Sequence, residues 1–137
     1  MRFLILSAAL TITACAKEEA AAPTLPTGTY PGGERNDLCI AGEGAAQRAG
    51  FVIYGADNAN CSASGRIEAA GDGWNLVPAG DADCKIPVTV EAGRVSLGRL
   101  PPACAYYCGP GISADGKSFG PTVEGPPPSD LAGDPLC

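Results

Sequence analysis

Phe51-Val-Ile-Tyr54, Cys61-Ser-Ala-Ser-Gly-Arg-Ile-Glu-Ala69 and Trp74-Asn-Leu-Val77 are separated only by the turn clusters Gly55–Asn60 and Gly71-Asp72-Gly73. The first run is aromatic and β-branched, which suits a pleated, buried surface. The second alternates. Cys61, Ala63, Gly65, Ile67 and Ala69 share one face, and Ser62, Ser64, Arg66 and Glu68 share the other. Gly-Asp-Gly is a hairpin signal, because its residues tolerate positive φ. The same rhythm continues downstream. Cys84–Val90 reads as a strand, Glu91-Ala-Gly93 as a turn, and Arg94–Leu97 as the return strand. Pro87 lacks a ladder donor, so it predicts an edge or a bulge. Upstream, Asp37–Ile40 is a short strand candidate, and residues 42–49 read as a loop. Strands about every ten residues, with no amphipathic helix, predict an all-β fold. The expected form is a small antiparallel meander closed into a barrel or sandwich.

Four segments follow from composition. Residues 1–14 read as a cleaved signal peptide and residues 15–27 as a tether. Residues 28–119 form a single β domain, and residues 120–137 form a Pro/Gly-rich irregular tail. Arg2 provides a charged start, and Phe3 to Ile12 an apolar run far shorter than the ~20 residues a spanning helix needs. Two cleavage readings compete. Ala14-Cys15-Ala16 fits the small-x-small rule of ordinary signal peptidase. Ile12-Thr13-Ala14-Cys15 resembles the lipobox of bacterial lipoproteins. That resemblance implies an acylated Cys15 and a lipid anchor in the cell envelope. With Ala16 rather than Asp after Cys15, it implies the outer membrane of a two-membrane cell.

Removing residues 1–14 takes away Arg2, one of nine Lys+Arg, leaving eight against fifteen Asp+Glu and a formal charge of −7. No basic stripe is present, which excludes nucleic acid and anionic lipid surfaces as expected partners. With few large apolar residues, the domain's core is marginal by itself.

Setting Cys15 aside leaves an even set: Cys39, Cys61, Cys84, Cys104, Cys108 and Cys137. In an exported chain such a set reads as disulfides, at ~2–4 kcal/mol each. Six cysteines allow fifteen pairings. The expected one is Cys61–Cys84, across strands that flank a hairpin. Cys137 is expected to staple the tail to the body. The closest pair, Cys104-Ala-Tyr-Tyr-Cys108, has three intervening residues and the chain has no His, so neither zinc nor a C-x-x-C redox site is expected.

Without His, Ser–His–Asp and Cys–His nucleophile systems are excluded. The carboxylates Asp72, Asp81, Asp83 and Glu91 sit in expected turns, where solvation is their ordinary state; an envelope enzyme using them is the remote alternative. Asp57, Asp81 and Asp83 lack calcium-loop spacing. No cofactor or metal is expected. Tyr106 and Tyr107 stand as a possible aromatic platform for an envelope protein or glycan. The alternative is that one packs in the core.

Ser62-Ala-Ser64-Gly65-Arg66 followed by Trp74 is similar to the S-G-x-R…W stretch of membrane-bound inhibitors of c-type lysozyme. The resemblance implies a small β-barrel lipoprotein whose Ser64 and Arg66 enter a lysozyme active site. It departs at Arg66, which directly follows Gly65, and at Ile67, where an aromatic is expected. The role expected from the residues themselves is binding or structural support without catalysis.

Overall fold

The computed structural model describes residues 24–137. The expected signal segment, Cys15 and the expected tether as far as Pro23 lie outside the described residues. Among the described residues, eight strands follow in chain order: β1 (Gly28–Pro31), β2 (Asp37–Ala41), β3 (Arg48–Tyr54), β4 (Asn60–Ala70), β5 (Gly73–Pro78), β6 (Ile86–Glu91), β7 (Arg94–Leu97) and β8 (Ser118–Phe119). Each pairs antiparallel with the next, giving the expected meander in one eight-stranded sheet. The sheet curls until its ends meet. Beyond β8, Gly120 N donates to Pro31 O (2.7 Å) and Val123 N to Thr29 O (2.9 Å), joining the chain to β1. The result is a nearly closed barrel, which leaves little unpaired edge.

The alternation expected for β4 is present. Cys61, Ala63 and Ile67 face the core, and Arg66 faces solvent. Size is matched across the ladders. Phe51, fully buried, stands opposite Ala63 on one side and Leu38 on the other. Gly65 lies where β4 meets β5 most closely. A Cβ there would stand 1.9 Å from the Val77 carbonyl oxygen. β3 is buried continuously from Ala49 to Ile53. That explains the uninterrupted apolar run Phe51–Ile53, since a strand covered on both faces has no polar side. It starts three residues before Phe51, through the small Ala49 and Gly50.

Pro87 is neither on a free edge nor at a bulge. β6 is flanked by β5 and β7. Pro87 is its second residue, and the Pro87 carbonyl accepts from Gly98 N (2.8 Å) just past the end of β7. Its missing donor therefore faces the place where the ladder stops, and costs no bond.

The folded body takes in more chain than residues 28–119. Leu25 is buried, and its backbone pairs with a side chain as if with a strand. Leu25 N donates to Gln47 Oε1 (2.8 Å), and Gln47 Nε2 donates back to Leu25 O (2.7 Å). The Tyr30 hydroxyl donates to Pro26 O. Gln47 is buried in the loop between β2 and β3, beside a single 3₁₀ turn (Gly44–Ala46).

At the other terminus, Leu136 is the one buried residue after Gly120. It packs with Cys39 and Val52 on the outside of β2 and β3. Burial of one Leu contributes ~2–3 kcal/mol. Ordering backbone costs ~1–2 kcal/mol per residue. Noncovalent contact alone therefore does not hold a ten-residue strap, and the Cys39–Cys137 disulfide does.

Candidate functional site

Topology sorts the loops. Odd-numbered strands run one way and even-numbered strands the other. The chain therefore enters at one end of the barrel, alongside the β2–β3, β4–β5 and β6–β7 connections. The β1–β2, β3–β4, β5–β6 and β7–β8 connections gather at the opposite end. Tyr106 and Tyr107 belong to the last of these, a twenty-residue excursion holding a 3₁₀ turn over Pro102–Tyr107.

Two disulfides fix that turn. Cys84 bonds to Cys104, and Cys61 to Cys108 (Cα separations 4.9 and 4.0 Å). This corrects the expected Cys61–Cys84 pair. The β7–β8 excursion folds across the end of the barrel and offers a cysteine to each strand end, so neither needs the other. Cys104 and Cys108 do not pair together. Cys137 bonds to Cys39, stapling the tail as expected.

The turn splits the tyrosines between two roles. Tyr106 is 88% exposed, whereas Tyr107 packs against the core. Their rings meet edge to face at 5.3 Å. The Tyr107 hydroxyl donates to Asp81 Oδ2 (3.1 Å), while Asp81 Oδ1 accepts from Cys84 N (3.3 Å). Asp81 thus ties the β5–β6 loop to the base of the turn, and Tyr106 is left exposed.

Burial first, and then the Asp81 carboxylate, push the Tyr107 phenol above the ordinary tyrosine range. The neutral phenol is the donor. Its contribution is present below the pKa of unfolded tyrosine and is lost as pH rises through the folded pKa. In a tyrosinate absorbance titration, Asp81→Asn should lower a late-titrating tyrosine. Tyr30, raised by burial alone, should not move. An unchanged titration curve would contradict the Tyr107–Asp81 link.

Ser64 and Arg66 share the outer face of β4 and take different partners. Ser64 Oγ donates to the Leu136 carbonyl, so the C-terminal strap engages it. Arg66 reaches Glu68 with Nε (2.9 Å) and a terminal nitrogen (2.8 Å), and Lys85 approaches Glu68 from β6's side (3.7 Å). The Arg66 hydrogen bond holds the Glu68 carboxyl below its ordinary range. The turn carboxylates divide between the two ends of the barrel. Asp72 and Glu91 lie at the entry end, and Asp57, Asp81 and Asp83 at the other. Among the described residues, no three His, Cys, Asp or Glu side chains group closely enough to hold a metal ion. A cleft of about 420 Å³ at the barrel seam is lined by Thr27, Thr29, Thr122, Val123 and Glu124, with intervening glycines. Glu124 is its one ionisable residue, so the cleft offers no acid–base pair.

Gln47 and Leu136 were not among the residues singled out from sequence. For Gln47 no local pattern exists, because its partner lies 22 residues away. For Leu136 the signal is its place beside Cys137, as an apolar residue joined to a staple. No protein-family model matches the chain, and no curated protein or solved structure is significantly similar to it.

Proposed function

We propose that the protein is a non-enzymatic binding protein of the bacterial cell envelope, anchored through acylated Cys15 and presenting Tyr106 to an envelope partner. One observation carries the reading. Tyr106 is a large side chain left 88% exposed on a turn that two disulfides and the Tyr107–Asp81 bond make rigid. A preorganised aromatic loses little conformational entropy on contact, which is the property of an interface anchor. Its position supports the same reading. The chain enters the barrel at one end and the platform stands at the other, so a tether on the entry side leaves Tyr106 facing away from the membrane.

The test is envelope capture with the acylated chain and its Tyr106→Ala variant, followed by affinity measurement on the captured partner. Truncation of an interface anchor costs at least ~2 kcal/mol, so affinity should fall about thirtyfold. Equal capture and equal affinity for the two forms would contradict the platform. Tyr106 is exposed and touches Tyr107 by one ring edge, so the variant should lose no more than about 1 kcal/mol of stability.

A further inference from the structure

We infer that the Cys39–Cys137 bridge is a thiol-exchangeable latch, whose opening releases the strap of residues 128–137 and uncovers an apolar strip on the outer face of β2 and β3. The inference goes beyond the Tyr106 platform and does not depend on it.

The strap is largely folded on itself. Asp130 N donates to Asp134 O (2.9 Å), Asp130 Oδ1 accepts from the amides of Ala132 and Asp134 (both 2.9 Å), and Leu136 N donates to Pro128 O (3.0 Å). Its grip on the barrel comes from its last two residues. The Leu136 side chain lies against Cys39 and Val52, its carbonyl accepts from Ser64 Oγ, and Cys137 carries the covalent bond. Gly50 makes the seat. A Cβ there would stand 2.2 Å from the Leu136 carbonyl oxygen, so only glycine lets the strap lie this close. Beneath it, Cys39 and Val52 are 3% and 1% exposed, although they point away from the barrel interior.

The three disulfides are not equivalent. Cys61, Cys84 and Cys104 are fully buried, and Cys108, half-buried like Cys137, sits in the loop that Cys104 also pins. Cys137 is half-buried, and it holds a strap in which Leu136 is the one buried residue. Segments with few buried contacts open at low free energy, which favours exchange at this bridge over the other two. The reductant is a dithiol. One of its thiolates attacks Cys137 Sγ, forming a mixed disulfide while the sulfur–sulfur bond breaks and Cys39 leaves as a thiolate that takes up a proton. The second thiol of the reductant then displaces the Cys137 thiolate, which is also protonated. The dithiol ends as a disulfide and the protein holds two thiols.

The experiment uses the full mature chain, oxidised, with dithiothreitol as the dithiol. Aliquots are alkylated at intervals and mapped by mass spectrometry, with hydrogen exchange and circular dichroism on the same samples. Cys39 and Cys137 should be alkylated at least about tenfold faster than the other four. At that stage exchange should rise at Leu136 while the sheet signal is retained. Two results would overturn the latch: simultaneous opening of all three bridges, or continued protection of Leu136 after Cys39 and Cys137 are alkylated. A Cys137→Ser variant gives an independent reading. It should keep the sheet signal with an exchanging strap, and either a docked strap or a lost sheet would refute the inference.

Discussion

Gly65→Ala is expected to destabilise the barrel by at least ~3 kcal/mol, among the largest effects of any single methyl addition. The atoms it meets are backbone. The added Cβ would stand 1.9 Å from the Val77 carbonyl oxygen and 2.7 Å from Pro78 Cα. No rotamer change relieves that contact, so β4 and β5 must separate where Gly65 pairs with Pro78. β4 is the longest strand and bridges the two halves of the meander, pairing with β3 through Arg66 and with β5 from Gly65 onward. A small domain holds roughly 5–15 kcal/mol in total, so valine at this position should prevent folding altogether. For Gly65→Ala, thermal unfolding should show Tm lowered by about 10–20 °C. A shift under about 3 °C would show that the two strands do not meet this closely.

Removing the Cys61–Cys108 bridge by Cys61→Ala/Cys108→Ala should be comparably severe. The bond spans 47 residues of sequence. On the chain-entropy account, a closure of that length contributes about 4 kcal/mol by restricting the unfolded chain. It also joins the 3₁₀ turn over Pro102–Tyr107 to the first residues of β4, where Cys61 and Cys108 form an isolated bridge and Gly109 N donates to Asn60 O (2.8 Å). Denaturant unfolding should therefore show an unfolding free energy lower by about that amount, with a steeper slope because the unlinked unfolded chain exposes more surface. Cys84→Ala/Cys104→Ala, closing only 20 residues, should cost less, about 3 kcal/mol. An inverted order would place the structural weight on the wrong bridge.

The strands were legible because their signal is local. Phe51–Tyr54, Cys61–Ala69 and Arg94–Leu97 each carry side chains that suit a pleat, and Gly71-Asp72 closes the β4–β5 hairpin as read. Six oxidised cysteines and a stapled terminus were also legible, from number and position. Their pairing was not. It depends on where a twenty-residue excursion lies across the barrel end, a matter of three-dimensional path with no periodic trace. The fate of Ser64 was hidden for a related reason. Alternation puts it on the outer face, but a strap from 72 residues downstream covers that face. Tyr106 and Tyr107 are adjacent and chemically identical, so only the 3₁₀ turn reveals which is exposed and which is bonded to Asp81.

The account rests on a barrel whose exposed tyrosine and C-terminal strap are both held by one set of cross-links. A peptide map under non-reducing conditions tests this directly. Trypsin separates Cys61 from Cys84 after Arg66, and chymotrypsin separates Cys104 from Cys108 at the tyrosines between them. The account predicts three cross-linked species, Cys39–Cys137, Cys61–Cys108 and Cys84–Cys104, with none of these six thiols free. A Cys61–Cys84 or Cys104–Cys108 species as the main product would contradict it.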